Sequence, residues 1–98
     1  MKAKEGDVIR FYFSESTHYT KERTNDNTEM VDIVIKEDGE LIAISSFGDG
    51  CYLYRLENQY SVLGNVEDEK PIQALKANGW KEDLIQYVID EHLKTKEK

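Results

Sequence analysis

The sequence predicts an α+β fold, in which an antiparallel β-meander of about five strands precedes two C-terminal helices. Apolar and polar residues alternate over several short runs up to residue 64, as in half-buried strands. Turn-forming pairs such as Asp-Gly separate these runs. Beyond residue 65, apolar residues recur at helical spacing between start and stop signals. We therefore expect a single domain, with a sheet at 1–64, a long polar loop at 14–29 and a helical pair at 65–98.

The strongest strand signal lies in the segment 30–46, which predicts a β-hairpin. Asp38-Gly39 suits a two-residue type I′ turn, because both central residues of that turn adopt positive φ. This loop length pairs the isoleucines of the two strands on one face, Ile35 with Ile42 and Ile33 with Ile44. A three-residue loop would divide the isoleucines between the two faces. The two-residue register places polar residues on the other face, among them Asp32, Lys36 and Ser45.

Other segments extend the predicted sheet on both sides of this hairpin. Residues 8–13 alternate after Glu5-Gly6-Asp7, an opening that resembles the start of many small SH3-like barrels. That resemblance implies a sheet that curls into a small open barrel. The runs 51–56 and 60–63 predict two more strands. Because short turns join them, we expect antiparallel pairing between sequence neighbours.

Helix signals begin after residue 65. Acidic residues and Pro71 suit the first turn of a helix. Asn78-Gly79 predicts the end of this helix in a Schellman-type cap, with Trp80 packing back on the last turn. A second helix is expected from residue 81, since one apolar stripe follows, formed by Leu84, Ile85, Val88, Ile89 and His92.

The chain is acidic, with 20 Asp and Glu against 13 Lys and Arg and a net charge of −7. Binding to nucleic-acid phosphates needs clustered Lys and Arg, so we do not expect direct binding to duplex DNA. The single cysteine, Cys51, excludes an intramolecular disulfide and is typical of a reducing compartment. The sequence lacks the apolar core of a secretory signal and the roughly 20-residue apolar run of a membrane helix. These features predict a cytoplasmic protein without membrane association.

No residue pattern predicts catalysis, a cofactor or a metal site. Cys51 with His18 or His92 would supply a nucleophile and a base, but no local signature surrounds the cysteine. The oxygen-rich segment 25–29 lacks the ligand spacing of a Ca²⁺ loop. The segment 48–50, Gly-Asp-Gly, precedes a predicted strand, whereas a phosphate-binding loop precedes a helix. We therefore expect a non-catalytic binding protein.

Clusters of acidic residues suggest what the protein binds. Those at 67–69 and 82–83 lie at expected helix starts, where carboxylates are favoured. The cluster at the hairpin tip has no such explanation. Small acidic proteins with such patches resemble phage-encoded inhibitors that occupy a nucleic-acid-binding groove on a host enzyme. The resemblance implies an accessory or inhibitor protein of a bacterium or its mobile elements, acting on a basic protein surface. The predicted contact residues are Glu37, Asp38, Glu40, His18 and Tyr19.

The strand aromatics suggest an alternative function. Aromatic side chains on a small barrel hold small ligands or single-stranded bases by stacking. Such sites usually have a positively charged groove beside the rings, which this acidic chain does not predict. Under this alternative the binding residues are Tyr12, Tyr52, Tyr54 and Tyr60.

Overall fold

The structure is a computed structural model that describes residues 2–15 and 18–94, without the side chains of His18 and Lys94. In this part of the chain the strands are β1 Asp7–Ser14, β2 His18–Thr20, β3 Thr28–Glu37, β4 Glu40–Ile44, β5 Gly50–Tyr52 and β6 Ser61–Asn65. A 3-10 helix, Leu53–Leu56, separates β5 from β6. The helices α1 Glu69–Ala77 and α2 Glu82–Val88 follow, and α2 continues in a π-helical segment, Ile89–Lys94.

All strand pairs are antiparallel, and the sheet curls into a half-barrel. Strand order along the sheet is β2-β1-β3-β4-β5, and β6 pairs with β1. β1 pairs with two strands besides β3, because its first half pairs with β6 and its second half with β2. The predicted α+β fold, with two C-terminal helices after an antiparallel sheet, is confirmed.

The β3–β4 hairpin has the predicted register. Ile33 pairs with Ile44 and Ile35 with Ile42, while Glu37 and Glu40 face each other beside the turn. Asp38 and Gly39 have φ values of 54° and 84°, as a type I′ turn requires. The two-residue loop, which was inferred because it places the isoleucines on one face, is therefore confirmed.

The predicted strand at 51–56 is wrong from Leu53 onward. Strand β5 ends at Tyr52, and Leu53–Leu56 forms a 3-10 helix. Leu53 and Leu56 are both buried, and their i, i+3 spacing places them on the same side of a 3-10 turn. The chain therefore leaves the sheet here. The predicted meander paired the last strand with its sequence neighbour, whereas β6 pairs with β1.

The segment 14–29, predicted as a polar loop in which residues 18–20 could form a strand, does contain a short strand. Its residues His18–Thr20 form β2 against the end of β1, and β3 begins already at Thr28. In the remaining turn, Asn27 Oδ1 accepts the Thr24 backbone N–H at 2.9 Å. Asn27 Nδ2 donates to the Glu22 carbonyl at 3.1 Å. This turn is thus organised by one asparagine side chain.

Both faces of the sheet are buried, each in its own apolar core. On one face, the helices cover the helix-side core, formed by Val8, Val31, Ile33, Ile35, Leu75, Trp80, Ile85 and Val88. The curled sheet and the 3-10 helix enclose the barrel core on the other face, formed by Ala3, Ile9, Phe11, Val34, Ala43, Leu53, Leu56 and Tyr60. Asp32 and Ser45 belong to this second face and are buried. The face of the hairpin that was expected to be polar therefore lies inside the half-barrel, because the sheet curls around it. Of its three polar residues Asp32, Lys36 and Ser45, only Lys36 is exposed.

Helix α1 ends in the predicted cap. Gly79 has a φ of 102°, the Gly79 N–H donates to the Lys76 carbonyl, and the Trp80 N–H donates to the Leu75 carbonyl. The Trp80 indole is buried and its Nε1–H donates to the Val31 carbonyl at 2.8 Å, which ties the helices to β3. None of the helices within 2–15 and 18–94 is long and apolar enough to cross a membrane.

Candidate functional site

A cleft of about 190 Å³ opens into the barrel core between β1 and β2 on one side and β4 and β5 on the other. We call it the Asp32 cleft, after the carboxyl group that lines it. β1 and β3 contribute apolar walls, Phe11 and Met30 among them, and β4 contributes Ala43. These side chains face the cleft because residues two apart on a strand share a face, which the register places toward the barrel core.

Asp32 is the unusual group of this cleft. Its exposed fraction is 3%, it pairs with Ile9 of β1 in the sheet, and its Oδ1 has no hydrogen-bond partner in the described part of the chain. Burial raises the pKa of the Asp32 carboxyl from 3.8 to about 7, because an apolar environment disfavours the ionised form. Nearly all buried polar groups in folded proteins have a partner. The cleft therefore contains a hydrogen-bonding capacity that the described residues leave unused.

Aromatic rings form one wall of the cleft. The Tyr19 ring lies edge-on to Phe11, with 5.6 Å between ring centroids, and 5.4 Å from the centroid of Phe13. The pairing of Phe13 with Tyr19 between β1 and β2 holds the three rings together. Such contacts add about 0.5–1.5 kcal/mol per pair beyond area burial. The rings thus make a rigid apolar wall beside the Asp32 carboxyl.

The turn between β4 and β5 forms the mouth. Its backbone is fixed by three hydrogen bonds: the Ser45 N–H donates to the Asp49 carbonyl, the Gly48 N–H donates to the Ser45 carbonyl, and the Phe47 N–H donates to Ser45 Oγ. This arrangement leaves Phe47 82% exposed, and both Phe47 and Asp49 line the cleft. The turn thus holds an exposed aromatic residue and an acidic residue at the entrance.

Tyr19 and Cys51 meet across the cleft. The Tyr19 hydroxyl lies 3.8 Å from Cys51 Sγ. Burial, followed by the hydrogen bond and charge of Cys51, raises the pKa of Tyr19 above its ordinary value of 10.0. Asp32 raises the pKa of Tyr19 further and Arg55 lowers it, so both charged groups act on the same phenol. Tyr19 is therefore a neutral hydrogen-bonding group of the cleft at neutral pH.

The structure separates the residues predicted to contact a protein partner. Tyr19 lies in the Asp32 cleft, whereas Glu37, Asp38 and Glu40 are exposed at the hairpin tip. Asp32 and Glu37 are five positions apart on β3, which corresponds to about 17 Å at ~3.3 Å per residue. The His18 backbone begins β2, but its side chain lies outside the described atoms. One predicted residue thus joins the cleft, and three form a separate acidic surface.

The four tyrosines of the alternative prediction do not form one site. Tyr12 is buried on the face of β1 opposite Phe11 and Phe13. Tyr60 is buried, and its hydroxyl accepts the Ala3 N–H at 3.1 Å, so it is part of the barrel core. Tyr52 and Tyr54 do come together. Their rings stack with centroids 5.3 Å apart at an angle of 16°, and both are exposed.

The groups considered for catalysis remain apart where the structure describes them. Cys51 lines the Asp32 cleft, whereas His92 lies beside Ile42 and Tyr52 on the helix side of the sheet. Among residues 2–15 and 18–94, no three His, Cys, Asp or Glu side chains gather in a metal-binding arrangement.

Asp32 is the residue of the candidate site that the sequence did not predict. Period-2 alternation assigned it to a polar face together with Lys36 and Ser45. That face also carries Val34 and Ala43, which are apolar and pair with each other in the register that was predicted. A carboxylate two residues from Met30 and two residues from Val34, on the same face of one strand, was the available signal for a buried charge.

No protein-family model matches this chain, and no curated protein or solved structure shows significant similarity to it.

The cleft has three chemical properties: an apolar wall, a buried acceptor on Asp32, and a second acidic residue at the mouth, Asp49. Such a combination is suited to a hydrogen-bond donor or cation carried on an apolar stem.

Proposed function

We propose that the protein is a non-catalytic binding domain that recognises a basic protein surface through the Asp32 cleft. The observation that carries the proposal is the buried Asp32 carboxyl, whose Oδ1 has no hydrogen-bond partner among the described residues, in a cleft that opens to solvent beside Phe47. Burying a carboxylate without a partner is costly, so its presence calls for a partner that enters from outside. A basic side chain supplies both the hydrogen-bond donor and the opposite charge.

The charge of the whole chain supports the same partner class. The net charge is −7, and Asp49 adds a carboxylate at the entrance of the cleft. An acidic surface attracts a basic partner over a Debye length and raises the association rate. The acidic hairpin tip of Glu37, Asp38 and Glu40 is a second contact surface under this proposal, at the other end of β3 and β4. A partner that reaches both surfaces would span the length of the hairpin.

The biological setting follows from the same charge argument. A small acidic domain that binds a basic surface competes with nucleic acid for that surface. We therefore propose an accessory or inhibitor protein of a bacterium or its mobile elements, acting in the cytoplasm on a nucleic-acid-binding partner. Size and acidity support this part of the proposal.

Binding of a labelled lysine-rich peptide, measured by fluorescence anisotropy, tests the proposed function. We expect binding that weakens at least about tenfold between ~50 mM and ~300 mM salt, and no binding of a glutamate-rich peptide of equal length. Phe47→Ala and Asp49→Asn should each weaken it. Asp83→Asn is the matched control for charge, because Asp83 is exposed on α2, on the helix side of the sheet. Equal binding of both peptides would refute the proposal.

The stacked pair of Tyr52 and Tyr54 supports a second candidate function. Two exposed rings stacked at an angle of 16° present outer ring faces of the kind on which bases stack. Under this alternative the protein binds planar small ligands or single-stranded oligonucleotides. Tyrosine fluorescence on addition of nucleotides and short single strands tests it. Unchanged emission across the set, in both the protein and Tyr54→Ala, would remove this candidate.

A further inference from the structure

We infer that Asp32 is the counter-ion for the primary ammonium group of a lysine side chain that a protein partner inserts into the cleft. This inference rests on the proposed function for the source of the lysine. It adds the specific residue, the specific ligand atom and the direction in which the side chain enters.

The unpaired oxygen of Asp32 selects the kind of nitrogen. Oδ1 is a buried acceptor with no partner among the described residues, so the ligand must bring an N–H or O–H donor. A neutral hydroxyl would satisfy the hydrogen bond but would not balance the ionised carboxylate. A quaternary ammonium balances the charge but has no hydrogen to donate. A primary ammonium provides both, with three donors on one compact charge.

The walls of the cleft select the stem that carries the nitrogen. Phe11, Met30 and Ala43 offer apolar surface above the carboxyl, where a chain of methylene groups packs. The cavity of about 190 Å³ is smaller than the ~300–1,000 Å³ of typical small-molecule sites. It therefore suits one extended side chain. A guanidinium is planar and makes its best contact with both oxygens of a carboxylate, whereas an ammonium pairs with a single oxygen such as Oδ1.

The other groups around Asp32 fix the expected pH dependence. Tyr19 and Cys51 face it from β2 and β5, Asp49 lies at the mouth, and Arg55 acts on the Tyr19 phenol. Burial alone raises the pKa of Asp32 to about 7, and a bound ammonium lowers it again by favouring the ionised form. Ligand binding near neutral pH therefore releases a proton. Affinity for the ammonium should rise between about pH 6 and pH 8, because only the ionised carboxyl forms the ion pair.

Titration of the free protein with n-butylammonium tests the inference without any protein partner. The ¹³Cγ signal of Asp32 reports its ionisation as the pH is varied. We expect saturating butylammonium to lower the titration midpoint of Asp32 by about one pH unit or more. n-Butanol, which has the same stem without the charge, should leave the midpoint in place, and tetramethylammonium should move it less. An unchanged midpoint at saturating butylammonium would overturn the inference.

Asp32→Asn gives the second readout. This variant keeps the shape of the side chain and removes its charge, so butylammonium affinity should fall about tenfold or more. Asp83→Asn removes the same charge from the helix side of the sheet and should bind as the unaltered protein does. Equal affinity of the Asp32→Asn variant and the unaltered protein would overturn the inference, provided that thermal unfolding shows the variant to be folded.

The two proposals fail in different ways. If lysine-rich peptides bind with the expected salt dependence but equally well to Asp32→Asn, the basic-partner function stands and the role of Asp32 is refuted. If butylammonium requires Asp32 but lysine-rich peptides do not bind, the ion pair stands and a protein lysine as its source is refuted. Binding of a butylguanidinium ion more tightly than butylammonium would refute the choice of lysine.

Discussion

The Tyr19 hydroxyl and Cys51 Sγ lie 3.8 Å apart, although β2 and β5, which carry them, are at opposite ends of the strand order. The curl of the sheet brings these two ends together across the Asp32 cleft. The contact is made by side chains, and the Tyr19 ring also packs on Phe11 and Phe13. Tyr19 thus connects both sides of the cleft.

Replacing Tyr19 separates the contribution of its ring from that of its hydroxyl. Tyr19→Ala removes two ring contacts from the cleft wall and should lower the free energy of unfolding by about 1–3 kcal/mol. Tyr19→Phe keeps the ring and should cost less than about 1 kcal/mol. Urea unfolding measures both values. Tyr87→Ala, at a 58% exposed position, is the control, with an expected change within ~0.5 kcal/mol. Equal losses for the Phe and Ala variants would contradict the packing role.

Asp32→Asn should stabilise the protein at and above neutral pH. The folded protein keeps the Asp32 proton up to about pH 7, whereas the unfolded chain loses it near pH 4. Between these values the folded state binds more protons, so stability falls as the pH rises, and the full penalty is present above pH 7. A change of one in pKa equals about 1.4 kcal/mol, so the penalty is on the order of 4 kcal/mol.

Thermal unfolding of both proteins across this pH range measures the effect. We expect the difference in stability between Asp32→Asn and the unaltered protein to grow from pH 4 to pH 7 and then to level off. Asp83→Asn, at an exposed position, should give a difference that varies little over the same range. A difference for Asp32→Asn that is independent of pH would show that folding does not shift the pKa of Asp32.

The Asn78 side chain links α1 to β3 with two hydrogen bonds. Its Oδ1 accepts the Val31 N–H at 3.2 Å, and its Nδ2 donates to the Glu29 carbonyl at 3.3 Å. Asn78→Ala should therefore lower the free energy of unfolding by about 1–3 kcal/mol, since two partly buried backbone groups lose their partner. Asn78→Asp keeps the acceptor and should cost less. Gln73→Ala, at an exposed position on α1, provides the control in urea unfolding. An equal loss of stability in Gln73→Ala and Asn78→Ala would contradict the role of Asn78 in linking α1 to β3.

Gly64 allows β6 to approach α1. A Cβ at this position would lie 2.6 Å from Pro71 Cγ, and its φ of 143° is one that other residues rarely adopt. Gly64→Ala should destabilise the fold by at least about 2 kcal/mol, because both the clash and the backbone strain oppose it. Gly48→Ala is the matched control, since its φ is 88° but its Cβ would meet nothing within 4 Å. Equal destabilisation of the two variants would assign the whole effect to backbone strain.

The fold was predictable where local pattern and tertiary environment agree. Asp38-Gly39 and the isoleucines determined the hairpin register, and Asn78-Gly79-Trp80 determined the end of α1. The pairing of β6 with β1 was not predictable, because it joins residues 58 positions apart, such as Asp7 and Asn65. The preference of strands to pair with their neighbours in sequence does not predict pairing over that separation.

The cleft could not be predicted from the sequence for a related reason. Alternation along β3 tells which residues share a face but not whether that face meets solvent. The curl of the sheet decides that question, and it buries Asp32 beside Val34. Likewise, Tyr19 was selected from a polar segment, and its partner Cys51 became visible only when β2 and β5 were brought together.

The pairing of β1 with β6 has a consequence for the order of folding during synthesis. The first half of β1 obtains its outer neighbour only when residues 61–65 have been made, and the helix-side core also needs Trp80, Ile85 and Val88. Until then the β1–β3–β4 sheet exposes the apolar face that the helices later cover. Such transiently exposed surfaces are prone to association between chains. The nascent protein therefore depends on its last third to protect strands that were made first.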